Sequence, residues 1–154
     1  MTFKETIDAL ADKFGIDGLE AEDGKVAFSI DGMDALLADG GSGMLVATGY
    51  LGVPPPEGQL EFANMLLDAN IDLKDTRDAA FARNPETGVY VFVERIALDE
   101  IGFDEFCEKL GEFVNTLSAW REALDDYRPA AAAAKEVADD EPQGQFSPGD
   151  FMQV

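Results

Sequence analysis

The chain has 154 residues, a length typical of one domain, and it carries 32 Asp and Glu against 11 Lys and Arg, for a formal net charge of −21. It contains no histidine and a single cysteine. These counts exclude nucleophilic sites built on Ser-His or Cys-His pairs, HExxH zinc sites, internal disulfides and thiolate zinc clusters. The negative charge argues against nucleic acid and anionic membranes as partners, because both attract clustered Lys and Arg.

Hydrophobic residues make up 46% of the chain and include 11 Phe, so a globular core is expected despite the charge. No apolar run approaches the roughly 20 residues of a membrane span. The N-terminal residues Met1 to Glu5 do not have the cationic and apolar pattern of a secretory signal peptide. We therefore expect a cytoplasmic location, in which a lone reduced thiol is ordinary.

The first segment predicts an amphipathic helix. Thr2 and Glu5 have the spacing of a capping box, and Gly15 is placed to end the helix. The apolar positions recur at intervals of three and four residues, which defines one helical face. Two interpretations stay open, a face packed on its own domain or a face that is partly available to a partner. The residues of this face are Phe3, Ile7, Leu10 and Phe14.

Residues 16–53 predict a meander of up to three antiparallel strands. Val26, Phe28 and Ile30 alternate with small or polar residues, so one face of that strand is apolar. Residues 44–51 are apolar on both faces, which favours a central strand. Hairpin signals stand at 23–24 and 31–32, and 39–43 is predicted to be a loop.

The second half begins with Pro54-Pro55-Pro56, which forces an extended link. A helix is predicted from about Glu57 to Ala69, with Asn70 as a left-handed C-cap. A short strand around Ala79 and Phe81 and a stronger strand over 89–98 follow. A long helix, starting at Asp99 or Phe103 and ending at Tyr127, completes a domain expected to span residues 1–127.

Residues 128–154 are expected to form a flexible tail that is rich in Ala and acidic residues. The last nine residues contain four large apolar side chains, Phe146, Phe151, Met152 and Val154. They are interpreted either as a disordered end or as a short docking segment, and the sequence does not decide between the two.

No motif points to catalysis, a metal or a cofactor. The Gly-rich stretch 40–43 lacks the Lys of a phosphate-binding loop. The carboxylate groups at Asp31 and Asp34, and around residues 72–78, lack the spacing of a calcium loop. Cys107 falls on the apolar face of the last helix, where a thiol is normally an inert core group.

The order of elements, α-β-β-β-α-β-β-α, predicts an α+β domain with an antiparallel sheet and helices on one side. That order and certain residues resemble the class I type III secretion chaperones, the Tir chaperone family. The segment Leu66-Leu67-Asp68-Ala69-Asn70 is similar to the motif that closes the family's second helix. Leu98, Leu117 and Trp120 are similarly placed around the last helix. The triple Pro and the Ala-rich tail depart from the family pattern.

The resemblance implies a homodimeric, non-enzymatic cytoplasmic chaperone of bacteria. Such a protein binds the N-terminal segment of a secreted effector in extended form, keeps it secretion-competent and delivers it to the export apparatus. The resemblance also places the dimer interface on the second helix and the strands after it. The interface residues it implies are Phe62, Met65, Leu66, Phe81 and Phe92.

Effector-peptide contacts are predicted from the surplus of apolar residues at the N-terminal helix and the adjacent strand. These candidates are Phe3, Ile7, Leu10, Phe14, Val26, Phe28 and Ile30. Two other classes of function stay open. One is an acidic regulatory or nucleic-acid-mimicking binding protein of similar fold. The other is a carboxylate-based hydrolase, which requires two carboxylates about 5–10 Å apart in a pocket.

Overall fold

The structure is a computed structural model that describes residues 1–54, 56–72 and 79–126. Within these residues, three helices and five strands follow one another in the predicted order. The helices are α1 (Phe3–Phe14), α2 (Gln59–Ala69) and α3 (Phe103–Asp126). The strands are β1 (Lys25–Ile30), β2 (Met33–Gly41), β3 (Met44–Gly52), β4 (Ala80–Arg83) and β5 (Tyr90–Ala97). The expected tail 128–154 lies outside the described residues.

The strands form one antiparallel sheet in the order β1-β2-β3-β5-β4, so β3 is central as its two apolar faces predict. Asp31 and Gly32 have φ of 52° and 77°, the left-handed pair that a tight hairpin turn between β1 and β2 requires. The loop predicted at 39–43 is wrong in extent. Strand β2 continues to Gly41, and only Ser42 and Gly43 form the turn into β3.

The hairpin predicted at 23–24 is also only partly correct. Asp23 and Gly24 do form a left-handed turn, with φ of 50° and 71°. However, the turn joins β1 to an isolated bridge at Glu22, and residues 16–21 form no strand. Acidic and Gly residues dominate this stretch, and Leu19 alone packs partly against the core.

The sheet has two unlike faces. One face, the helix-covered face, carries the buried residues Val26, Leu37, Leu45 and Ile96, which join α1, α2 and α3 in one core. At its centre Phe92 of β5 stacks on Phe113 of α3, with ring centroids 5.5 Å apart. Burying such rings is the main stabilising term in a small domain. The core therefore lies between the sheet and one layer of helices.

Gly49 shows how closely α3 approaches the sheet. It lies on the helix-covered face of central strand β3, opposite Phe92 of β5. A Cβ at this position would collide with the side chain of Leu117. The missing side chain lets Leu117, which is fully buried, sit directly on the strand backbone.

Candidate interaction surfaces

The apolar stripe of α1 is mostly used inside the domain. The capping box forms as predicted, since Thr2 and Glu5 exchange both hydrogen bonds. Phe3, Ile7 and Leu10 are buried in the core. These three predicted peptide contacts therefore lie beneath the surface of the protomer, and the first of the two interpretations of this helix describes most of its length.

The end of α1 is different. Phe14, the last residue of the predicted stripe, is 58% exposed, and Ile16 just after it is 43% exposed. Gly15 between them is left-handed, as predicted, and its N–H bonds the carbonyl of Ala11. The cap thus holds two large apolar side chains at the surface.

Strand β1 is an edge of the sheet, and its predicted contact residues divide in the same way. Val26 is buried, whereas Phe28 and Ile30 are half-buried at the margin of the core. Both face the helix-covered side, since their partners in β2 are Ala35 and Met33. An edge strand with a half-buried apolar row is the surface that an extended peptide can complete.

The hydrogen-bonding direction along β1 follows from its hairpin. Residues 31–32 form a two-residue turn, so Ile30 and Met33 are a hydrogen-bonded pair. Because bonded and non-bonded pairs alternate in an antiparallel ladder, Ala27 and Ser29 belong to non-bonded pairs. Their N–H and C=O groups therefore point away from β2, toward the open edge.

The neighbouring position on that edge is already occupied. The N–H and C=O of Lys25 exchange hydrogen bonds of 2.9 and 3.0 Å with Glu22. Lys25 alternates with Ala27 and Ser29 along β1, so these bonds confirm that the backbone groups of all three point outward. The open length of the edge therefore begins beyond Lys25, at Ala27 and Ser29.

At the opposite edge, the outward backbone groups of Phe81 in β4 are paired with Asn70. Its side-chain amide donates to the carbonyl of Phe81 at 3.2 Å, and its side-chain carbonyl accepts from the N–H of Phe81 at 2.7 Å. Asn70 is the C-cap of α2 as predicted, but its expected left-handed conformation is wrong, since it has φ −65° and ψ −18°. Its amide instead imitates one residue of a neighbouring strand, a role that needs contacts from distant sequence and that local sequence does not reveal.

Four of the five residues expected at a dimer interface are buried within the protomer. Phe62 packs edge-on against Tyr90, with ring centroids 5.1 Å apart. Phe81 contacts both Phe92 and Trp120. Leu66 is also buried, and Met65 is half-buried against the core.

The outer side of α2 carries apolar residues that the sequence analysis did not select. Leu60 is 70% exposed and Leu67 is 62% exposed, and Ile71 just beyond the helix is 85% exposed. Their spacing of seven and four residues places them along one helical line. This α2 outer face, defined by these three residues, is an exposed apolar patch of the kind found at protein interfaces.

The described residues offer little for catalysis or metal binding. Among residues 1–54, 56–72 and 79–126, no three metal-binding side chains of the carboxylate or thiol type cluster together. Cys107 is half-buried on α3. A cavity of about 250 Å³ at the start of α1 is lined by Asp39 and Asp99 together with glycines and apolar groups.

Two surface charges on α1 have shifted pKa values. The pKa of Glu5 is lowered because the backbone N–H of Thr2 donates to its carboxylate. The pKa of Lys4 is raised by the hydrogen bond to Asp8 one turn away. Both shifts belong to helix stability and form no reactive site. No helix in the described part of the chain is long and apolar enough to cross a membrane.

The fold is similar to that of several solved structures. A chain of the HopA1–SchA chaperone–effector complex matches with TM-score 0.64 and 16% identity, over 78% of this chain and 93% of that chain. The complex of the Yersinia pestis type III secretion chaperone SycH with a fragment of YscM2 gives 0.59 and 18%, over 77% and 98%. YbjN from E. coli gives 0.62 and 14%, over 80% and 92%. At such identities the likeness establishes the fold alone.

Comparison at the level of sequence identifies the family. No protein with a curated description matches the chain. A model of the Tir chaperone protein (CesT) family matches residues 5–121. That range includes every described strand, α2, most of α1 and the larger part of α3. The chain belongs to the Tir chaperone (CesT) family.

Proposed function

We propose that this protein is a type III secretion chaperone that binds the N-terminal segment of a secreted effector in extended form and keeps it secretion-competent. The observation that carries this proposal is the family match over residues 5–121. It acts by binding rather than by catalysis, in the bacterial cytoplasm, and presents its client to the export apparatus. The alternative of an acidic regulatory protein has no specific observation in its favour.

The open edge of β1 supplies the contact for an extended client. A client strand can bond the outward N–H and C=O groups of Ala27 and Ser29, which gives affinity without regard to sequence. Every second side chain of the client strand would lie beside Phe28 and Ile30. Both residues are half-buried, so they leave apolar area for the client to cover. Phe14 and Ile16 provide further exposed apolar surface for the same client.

A homodimer is part of the same proposal. The α2 outer face holds three large apolar residues that a second copy can cover, whereas most of the interface residues implied by resemblance are used within the protomer. We therefore assign the dimer contact to Leu60, Leu67 and Ile71, supported by Met65. Each fully covered side chain of this size contributes about 1.5–3 kcal/mol.

Co-expression tests client binding. The protein is produced with the first hundred or so residues of a candidate effector encoded beside it, and the complex is isolated by size exclusion. Ala27→Pro removes one outward N–H without touching the ladder to β2, so we expect at least a tenfold loss of client affinity, or about 1.4 kcal/mol. Ala27→Ser retains the N–H and is the matched control. Equal affinity of the two variants would contradict strand addition at β1.

Light scattering tests the dimer. Leu67→Asp places a charge in the α2 outer face, and we expect a mass shift from dimer to monomer at micromolar concentration. Phe14→Asp adds the same charge on α1 and should leave the dimer intact while weakening the client complex. A wild-type protein that is monodisperse and monomeric at that concentration would refute the dimer.

A further inference from the structure

The sheet face turned away from the helices is apolar and has no covering helix among the described elements. Its central row, read across the register, runs from Ala27 through Leu36 and Thr48 to Val93. Val46 and Val91 extend it on either side. None of these residues belongs to the core cluster or packs against it. Leu36 is buried, and Val46, Thr48, Val91 and Val93 around it are half-buried. We call this surface the open face, defined by these five residues.

The open face is also unusual in charge. The next row of the register runs from Lys25 through Ala38 and Val46 to Arg95, which puts a cation at each end. Three strand spacings separate them, or about 14 Å. Two acidic side chains share this side among the described residues: Asp34 of β2, and Glu22, which is paired with Lys25 in the isolated bridge. The chain as a whole carries −21, so a face on which two cations balance two carboxylates is less negative than the chain average.

Neither Lys25 nor Arg95 forms a salt bridge within the described part of the chain. Both lie beside apolar residues, a setting that suits a ligand carrying carboxylates next to large apolar groups. Most of the acidic surface of this protein would repel such a ligand, whereas the open face offers it a cation at each end of one row.

The chain itself contains a segment of that chemistry. Residues 136–154, outside the described residues, hold five carboxylates and no Lys or Arg. The same segment holds Phe146, Phe151, Met152 and Val154. The proposed client and dimer contacts make no use of it.

The segment has the length to reach the open face. Phe146 lies twenty positions beyond Asp126, where α3 ends. That link spans up to about 70 Å if extended and still about 30 Å at helical rise. The outer strands of a five-stranded sheet are only about 19 Å apart, so reach is satisfied at either limit.

We propose that residues 136–154 dock in cis on the open face of the sheet. Phe146 and Phe151 cover the row around Leu36 and Val93, and the carboxylates lie toward Lys25 and Arg95. The contact covers the apolar area that the half-buried Val46, Val91 and Val93 still expose around Leu36. It leaves the open edge of β1 and the α2 outer face free, so it does not depend on the proposed function.

Disulfide trapping in the full chain tests this placement. With Cys107→Ser as background, Gln153→Cys is combined with Thr48→Cys on the open face. The matched control combines Gln153→Cys with Ser118→Cys, an exposed position on α3. The trapping rate at each of the two positions is divided by the rate at which the cysteine there reacts with a small disulfide reagent. We expect intramolecular trapping at Thr48 to be at least tenfold faster than at Ser118.

Charge reversal separates specific docking from chance collision. Lys25→Glu with Arg95→Glu should slow trapping at Thr48 several-fold at low salt, and the difference should shrink as salt rises. Equal normalised rates at Thr48 and Ser118 would overturn the proposal. Trapping that is wholly intermolecular would also overturn it, because the occupant would then be the segment of a second copy.

Discussion

The two edges of the sheet are built from similar short strands and yet differ in what they leave available. On β1 the outward groups of Lys25 are paired with Glu22, whereas those of Ala27 and Ser29 have no hydrogen-bond partner among the described residues. On β4 the outward groups of Phe81 are taken by the side chain of Asn70. One amide thus blocks strand addition at Phe81 of β4, whereas no side chain among the described residues does the same at Ala27 and Ser29 of β1.

The two edge strands are also anchored differently to the core. Removing the anchoring side chain of β4 is expected to change the free energy of unfolding more than any other substitution considered. Phe81 on β4 contacts the rings of Phe92 and Trp120, whereas Phe28 on β1 is half-buried. Phe81→Ala should lower the free energy of unfolding by about 3–5 kcal/mol, and Phe28→Ala by about 1–2 kcal/mol. Urea denaturation measures both. Equal losses would show that the two edges are anchored alike.

A matched pair of proline substitutions tests the direction of the backbone groups. Since the N–H of Phe81 points outward, the N–H of Ala82 points into the ladder with β5, and Ala82 is paired with Val91. Ala82→Pro should therefore cost about 1–3 kcal/mol. Ala27→Pro removes an outward N–H and should be nearly neutral in the absence of client. The reverse ranking by thermal or urea unfolding would contradict the register.

Removal of the Asn70 amide tests the closed edge itself. Asn70→Ala leaves the N–H and C=O of Phe81 without their partner, and we expect a loss of about 1–2 kcal/mol. Asn64→Ala, on an exposed turn of the same helix, is the control and should stay within about 0.5 kcal/mol. Hydrogen exchange should become faster at the amide of Phe81 only in the first variant. Unchanged exchange there would mean that Asn70 does not protect the edge.

The contrast between the edges also marks how far sequence reasoning reaches. Periodicity and turn chemistry were sufficient for the order of elements, the capping box of Thr2 and Glu5 and the central place of β3. These features depend on residues close together in the chain. Local rules identified Asn70 as the C-cap of α2, but its bond to β4 depends on a residue eleven positions away, which they do not reveal.

The same limit applies to the candidate contacts. Apolar spacing identified the stripe of α1 and the row of β1, but it could not separate Ile7, which is core, from Phe14, which is exposed. For α2, the residues chosen by resemblance included the buried Phe62 and missed the exposed Leu67. Exposure depends on what packs across the sheet, which one sequence does not show.

The smallest expected effect on stability comes from Glu5 in the first turn of α1, the helix that precedes edge strand β1. The pKa of Glu5 is lowered in the folded protein by its hydrogen bond from the backbone of Thr2. The charged carboxylate therefore adds stability that is fully present above its unfolded pKa, near 4.3, and is lost as pH falls through the lower folded pKa.

Glu5→Gln keeps an acceptor and removes only the charge. We expect it to lower the melting temperature slightly at pH 7 and to match wild type near pH 2. A difference of the same size at both pH values would show that Glu5 contributes through hydrogen-bond geometry alone. The open edge would then be supported by a helix start that is insensitive to pH.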